Sequence, residues 1–179
     1  FLGYLHRTGH INNDPSEKIS LRVNRLRLPH TISIDQAIEL VTKPLSISST
    51  PAAARDEAML QLAYASGLRS SELINLNLGD VDLKANRVRC IGKGNRERII
   101  PFHSLAANRL DKYLHSSRMF LVTKLSGTAL FLNARGGRIT RQGYWLTLKK
   151  YAHMLNMGDD ITPHSLRHSF ATHLLQGGA

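Results

Sequence analysis

The sequence of 179 residues has a single cysteine, Cys90, so an internal disulfide framework is excluded. Without a second thiol the nine histidines make a poor start for a zinc site, and we expect no metal or other cofactor. Cys90 is predicted to be a small apolar residue of a strand. No apolar run approaches the roughly 20 residues of a membrane-spanning helix, and the first ten residues lack the pattern of a signal peptide. These absences favour a cytoplasmic protein.

Acidic residues are few: 13 Asp and Glu stand against 24 Lys and Arg, which gives a formal net charge of +11. The excess is spread along the chain, so it predicts a basic folded surface. Such a surface suits nucleic acids, because neutralising phosphates releases condensed counterions. Charge alone does not distinguish DNA from RNA. Aromatic residues make up only 6% of the chain, and no cluster of them suits base stacking, which argues against a ribosomal or RNA-binding protein.

Hydrophobic periodicity predicts a mainly α-helical chain with a small three-stranded antiparallel sheet. Capping signals place helix starts at Ser33, Thr50, Thr140 and Thr162, and glycines stop two of these helices at Gly67 and Gly177. Shorter helices are expected over residues 70–76 and 104–120, with a serine-rich loop over 44–50. The predicted strands cover residues 81–83, 87–91 and 96–101. Basic, proline-terminated residues predict an interdomain linker over 25–32, between residues 1–24 and a main domain over 33–179.

Three local patterns could serve phosphate chemistry, and the first two lie at a helix-to-helix corner and at a hairpin tip. Arg69 stands at a helix-to-helix corner with Glu72 three residues on; its planar fork of donors suits a phosphate, but a purely structural pair with Glu72 explains the pattern equally well. Lys93 stands at a glycine-flanked hairpin tip. Glycines let such a tip approach a ligand closely, although a solvated lysine is the commoner outcome.

The third pattern is the helix start that follows Thr162. His164, Arg167 and His168 share one helical face, while Leu166, Phe170 and Leu174 are expected to turn to the core. His164 and Arg167 then project together from the first turn, where the helix dipole favours an anion. The two histidines could suggest zinc, but no further ligand spacing completes a site.

In order and wording, three segments resemble the successive catalytic boxes of the tyrosine recombinase (phage integrase) family, most closely its Xer type. They are A-S-G-L-R-S-S-E-L, I-G-K-G-N-R-E-R-I-I-P and T-P-H-S-L-R-H-S-F-A-T-H-L. The resemblance covers residues 33–179 and implies that family's catalytic-domain fold. It makes residues 1–24 the end of a core-binding domain, which with the catalytic domain clamps duplex DNA.

The resemblance also implies roles for individual residues. Arg69 and Arg167 would bind the non-bridging oxygens of the scissile phosphate, Lys93 would protonate the departing 5′ oxygen, and His164 would assist proton transfer at the nucleophile. Glu72 would hold the corner, and His168 would be structural. These roles need no metal or high-energy cofactor.

The family also attacks DNA with a tyrosine some tens of residues beyond the position of Arg167, and the sequence stops at Ala179. We therefore expect a catalytic domain that is incomplete at its C-terminus and inactive as it stands. The full-length protein is expected to be a DNA strand-exchange enzyme that acts as a tetramer on paired sites. The alternative is a non-catalytic DNA-binding regulatory relative of the same fold.

Overall fold

The computed structural model describes residues 1–18, 31–92 and 96–178, with the side chains of residues 17 and 18 left out. In that part of the chain, seven α-helices and a three-stranded sheet alternate with short 3-10 and π-helical turns. The helices are α1 Leu2–Arg7, α2 Ile34–Ile47, α3 Pro51–Ser66, α4 Ser70–Asn75, α5 Ser104–Lys112, α6 Arg141–Met154 and α7 Pro163–Gln176. The strands are β1 Val81–Asp82, β2 Arg87–Ile91 and β3 Glu97–Pro101. The predicted fold class is confirmed.

Helix α3 forms the centre of the domain. It packs against α2, α5 and α7, and nearly all of its residues from Ala53 to Ser66 are buried. Buried charges on α3 are paired: Arg55 Nη2 lies 2.6 Å from Asp56 Oδ1, and the Tyr151 hydroxyl donates to Asp56 Oδ2 at 2.9 Å. A buried charge is costly unless it is paired. Because Tyr151 of α6 is one of the partners of Asp56, this pairing holds α6 against α3.

Helix α2 is longer than predicted. Residues 44–47, the first half of the expected loop over 44–50, are helical, so that expectation is wrong there. The capping box of Ser33 and Gln36 begins the helix, which continues through the buried Pro44 to Ile47. A proline inside a helix removes one backbone donor and disturbs the neighbouring turn. Here the next N–H, of Leu45, donates to Glu57 Oε2 at 3.0 Å, so the backbone beside the proline has a partner from α3.

The three strands pair in the order β1-β2-β3, all antiparallel, as the sequence predicted. On β2, Val88 and the lone cysteine Cys90 are buried while their neighbours are exposed, which is the alternation of a sheet with one covered face. Cys90 lies opposite Arg98 of β3. This register directs Arg98 toward the covered face of the sheet.

The helix predicted over 104–120 is interrupted. Helix α5 ends at Lys112, and a π-helical turn (Tyr113–Ser117) and a 3-10 turn (Arg118–Leu121) follow. Tyr113 is fully buried and stacks on Phe131 with ring centroids 5.8 Å apart. Its hydroxyl donates to the Leu130 carbonyl at 3.2 Å. The π-helical turn therefore packs on residues 130 and 131 at the point where the regular α-helix ends.

Helix α7 begins and ends where its capping signals predicted. The Thr162 side chain accepts from the Ser165 N–H, Pro163 occupies the first turn, and Gly177 follows the last residue. The expectation that Leu174 turns to the core is wrong, since this residue is 49% exposed, whereas Leu166 is buried and Phe170 half-buried.

Ile32, the last residue of the predicted linker, is hydrogen-bonded to α7. The Ile32 N–H donates to Ser169 Oγ at 3.1 Å, and the Ile32 carbonyl lies 3.0 Å from His173 Nε2. Most of the predicted linker lies outside the described residues, and the domain division remains a prediction. Among the described residues, no helix combines the length and apolarity needed to cross a membrane.

Candidate active site

A glycine-dependent corner between α3 and α4 sets the geometry of the site. Gly67 ends α3 in the left-handed conformation, with φ +56°, and its N–H donates to the Ala63 carbonyl at 3.0 Å. A Cβ added at Gly67 would lie 2.3 Å from Cδ1 of Phe170 on α7. Only glycine fits this position without strain, and its presence lets α7 approach the corner. Arg69 follows as the residue that precedes α4.

Arg69 and Glu72 form the pair that the spacing predicted. The Arg69 N–H donates to Glu72 Oε2 at 2.8 Å, and Arg69 Nη1 lies 3.2 Å from Glu72 Oε1. Glu72 is almost completely buried, whereas the Arg69 side chain is 56% exposed. A guanidinium carries five N–H donors, so this contact leaves Arg69 with donors for a ligand. The pair is therefore compatible with both the structural and the phosphate-binding interpretation.

Two further arginines lie at the same carboxylate. Arg98 of β3 places Nη2 at 2.7 Å from Glu72 Oε2, and Arg167 of α7 places Nη1 at 3.9 Å from the same oxygen. Arg167 Nη1 also donates to the carbonyl of Gly67. Elements that are distant in sequence thus bring three guanidinium groups to one carboxylate. The predicted residues Arg69, Glu72 and Arg167 are brought together, and Arg98 is a member that the sequence interpretation missed.

The charges of this cluster shift its pKa values. Burial tends to raise the pKa of Glu72, but hydrogen bonds from Arg69 and the charges of Arg98 and Arg69 outweigh it and hold the pKa below its usual range. Burial and the positive charges of Arg69 and Arg98 lower the pKa of Arg167, although Glu72 opposes the shift. Guanidinium groups stay protonated at neutral pH even so. The cluster keeps a net positive charge.

A pocket of about 390 Å³ opens beside the cluster. Its lining includes Arg69, His164 and Arg167, together with Arg141 at the start of α6. His164 is exposed in the first turn of α7, where unpaired backbone N–H groups and the helix dipole favour an anion. The pocket therefore offers guanidinium donors and an imidazole to one small anionic group. Arg141, like Arg98, was not singled out from the sequence.

His168 and Lys93 are the remaining predicted site residues. His168 is half-buried and is absent from the pocket lining, and its carbonyl accepts from Thr172 Oγ1 at 3.1 Å. Lys93 lies outside the described residues. On either side of it, the Gly92 N–H donates to the Arg96 carbonyl at 2.8 Å and closes the ends of the β2–β3 hairpin.

The five tyrosines of this sequence differ in burial and contacts. Tyr113, Tyr144 and Tyr151 are buried, and burial raises the pKa of Tyr144 and Tyr151 well above the usual range. The Tyr64 hydroxyl lies 2.7 Å from Nδ1 of His173 on α7. Tyr4 is exposed on α1. No tyrosine is among the residues that line the pocket in the described part of the chain.

The arrangement suits charge stabilisation at a phosphodiester together with proton transfer. Fixed guanidinium donors can stabilise charge that develops on phosphate oxygens, and an exposed imidazole can accept or donate a proton. Within residues 1–18, 31–92 and 96–178, no group of three or more His, Cys, Asp and Glu side chains is placed to hold a metal ion.

Comparison with known proteins places these features in a family. Tyrosine recombinase XerC of Roseiflexus castenholzii is 49% identical over 181 residues, which cover 99% of this chain and 57% of that protein. The crystal structure of XerA recombinase matches with a TM-score of 0.73 at 26% identity, over 85% of this chain and 53% of that one. XerH site-specific recombinase, solved bound to its palindromic difH substrate in a post-cleavage complex, matches with a TM-score of 0.72 at 22% identity, over 85% and 44% of the two chains.

The chain spans about 57% of the XerC relative, so the likeness extends over little more than half of that protein. The family model described as the phage integrase family matches residues 31–179, which include the corner, the hairpin and α7. The chain belongs to the phage integrase family.

Proposed function

We propose that this chain is the larger part of the catalytic domain of a site-specific DNA recombinase that cuts and rejoins duplex DNA through a 3′-phosphotyrosyl intermediate. The observation that carries the proposal is the convergence of Arg69, His164 and Arg167, from two distant segments, on one small basic pocket. The nucleophile would be a tyrosine outside these 179 residues.

The reaction would be an in-line transesterification. The tyrosine oxygen attacks the scissile phosphorus, a bond forms between them, and the bond from phosphorus to the 5′ oxygen breaks. Arg69 and Arg167 stabilise charge on the two non-bridging oxygens, and His164 assists removal of the tyrosine proton. Lys93 donates a proton to the departing 5′ oxygen. Attack by a 5′ hydroxyl on the phosphotyrosine reverses each step and rejoins the strand.

Duplex DNA is the proposed partner. The net charge of +11 supports a polyphosphate ligand, and the XerH relative was solved on its difH DNA substrate. Recombination joins four strand ends, so we propose that the full-length protein assembles as a tetramer on two paired sites. We place this activity in the cytoplasm. Glu72 would hold the active-site corner in place through its contacts with the three arginines.

The test is covalent capture of DNA by the full-length protein. A duplex nicked next to the cleavage position loses its short 5′-hydroxyl fragment after attack, so the phosphotyrosine adduct accumulates. We expect an adduct that survives denaturation and maps by mass spectrometry to a tyrosine outside residues 1–179. An adduct on one of the five tyrosines in this sequence would contradict the proposal. DNA binding without any adduct would indicate a regulatory, non-catalytic protein instead.

A further inference from the structure

Arg98 reaches the site from an element that none of the predicted site residues in the described part of the chain occupies. It lies on β3, and its Nη2 is 2.7 Å from Glu72 Oε2, the shortest ion pair that Glu72 makes there. The end of β2 leaves space for this crossing, since a Cβ added at Gly92 would lie 3.1 Å from Arg98 Nη1. The sheet is thereby joined to the corner that carries Arg69.

Arg98 is one of two close donors to Glu72 Oε2. That oxygen accepts from Arg98 Nη2 at 2.7 Å and from the Arg69 N–H at 2.8 Å. Arg167 Nη1 stands 3.9 Å away, beyond hydrogen-bonding distance. With both short contacts in place, Glu72 does not draw Arg167 into a hydrogen bond. Arg167 Nη1 donates to the Gly67 carbonyl instead, which leaves the other donors of this guanidinium for the pocket.

The charges around Glu72 also favour an Arg167 side chain that is available to the pocket. Three guanidinium groups share the Glu72 carboxylate. One carboxylate neutralises only one of three guanidinium charges, and Arg98 makes the shortest of the three contacts. Arg69, although it contacts Glu72 at 3.2 Å, and Arg167 therefore remain a pair whose charges are not fully neutralised. A phosphodiester presents two non-bridging oxygens, so the remaining pair matches the ligand proposed for the pocket.

We propose that Arg98 is a positioning residue that neutralises Glu72 and thereby keeps Arg167, and with it Arg69, available to the scissile phosphate. This inference rests on the proposed function. Arg167 Nη1 stands only about 1 Å beyond hydrogen-bonding distance of Glu72 Oε2, so without Arg98 it would exchange the Gly67 carbonyl for this carboxylate and shift relative to the pocket. Arg98 acts through the other arginines and is not itself placed against the phosphate.

The experiment measures single-turnover cleavage and DNA affinity in the full-length protein. Arg98→Met removes the charge at similar length, and Glu72→Gln removes the carboxylate while its amide oxygen can still accept from the Arg69 N–H. We expect Arg98→Met to slow cleavage about 10- to 100-fold, the effect of one charged hydrogen bond, here the one to Glu72. DNA affinity should change less than about threefold, since Arg98 itself is not placed against the phosphate and the many phosphate contacts remain. The matched control is Arg87→Met on β2, whose arginine pairs with the exposed Asp82 at 3.2 Å, and it should cleave like the wild type.

The double variant Glu72→Gln/Arg98→Met is decisive. It has no carboxylate to attract Arg167, so we expect it to cleave at least about tenfold faster than Arg98→Met alone. Arg98→Lys, which retains the positive charge on a shorter side chain, should cleave faster than Arg98→Met. If the double variant is as slow as Arg98→Met, or if Arg98→Lys is equally slow, Arg98 does not act by neutralising Glu72.

A second measurement separates failure of this inference from failure of the proposed function. A wild-type protein that forms no covalent adduct would refute the proposed function. The Nε–Hε NMR signal of Arg167, recorded without DNA, tests the inference independently of activity. We expect Arg98→Met to shift this signal and Glu72→Gln/Arg98→Met to return it toward its wild-type position. A signal that Arg98→Met leaves unchanged would overturn the role of Arg98.

Discussion

Replacing Gly67 with alanine should destabilise the domain through two separable effects. Alanine in the left-handed conformation at φ +56° costs about 1–2 kcal/mol. Its Cβ would also lie 2.3 Å from Cδ1 of Phe170, and relief of such overpacking costs about 1–3 kcal/mol. We therefore expect Gly67→Ala to lower the free energy of unfolding by about 2–5 kcal/mol. Cleavage by the full-length protein should also fall, because the Gly67 carbonyl accepts from Arg167.

Gly127→Ala is the matched control for Gly67→Ala. Gly127 has φ +48° and no neighbour within 4 Å of an added Cβ, so it measures backbone strain without the clash. Urea denaturation followed by circular dichroism gives both free energies. In a Phe170→Ala background, Gly67→Ala should cost only the strain, about 1–2 kcal/mol. If Gly67→Ala costs no more than Gly127→Ala, or the same with and without the Phe170 ring, the close approach of α7 to the corner is wrong.

Three further predictions concern the charges of the site and of the surface. The pKa of Glu72 is held below its usual range, so its ionised form contributes stability above the ordinary glutamate pKa, and this contribution is lost as the pH falls through the lower folded-state value. Glu72→Gln should therefore flatten the acid-side fall of the urea midpoint, and an unchanged pH profile would contradict the assignment. In the full-length protein, Lys93→Ala should cleave normal DNA slowly but recover on a 5′-bridging phosphorothiolate, whose thiolate leaving group needs little protonation; equal impairment on both substrates would make Lys93 a phosphate contact. Duplex affinity, followed by fluorescence anisotropy, should fall steeply as salt rises, and insensitivity to salt would refute binding through phosphates.

Local chemistry explains why much of the fold was predictable. The caps at Thr50, Thr140 and Thr162 and the stop at Gly67 act within a few residues, so the bounds of α3, α6 and α7 followed from sequence alone. Alternation along β2, with Cys90 buried, identified the sheet in the same way. These signals do not depend on the rest of the chain.

Long-range contacts account for what the sequence analysis missed. Helix α2 continues past Pro44 because Glu57 of the next helix accepts the following N–H. Arg98 belongs to the site because Glu72, 26 residues away, accepts from it. Strand alternation places Arg98 on the same face of the sheet as Ile100. This signal indicates that the arginine faces inward, but nothing in the neighbouring sequence identifies Glu72 as its partner. Arg69, His164 and Arg167 were recognised because their motifs are local, although only the fold brings them to one pocket.

The most direct test of the proposed phosphate site compares cleavage with binding in the full-length protein carrying Arg69→Ala or Arg167→Ala. Donors aimed at developing charge contribute about 3–4 kcal/mol each, whereas one phosphate contact is a small share of affinity. We predict that either substitution slows single-turnover cleavage by about 10²- to 10³-fold while duplex affinity changes by less than about tenfold. Arg87→Ala, an exposed arginine outside the pocket, should change neither. Cleavage and binding that fall in equal proportion would show that Arg69 and Arg167 are ordinary backbone contacts and would contradict the account.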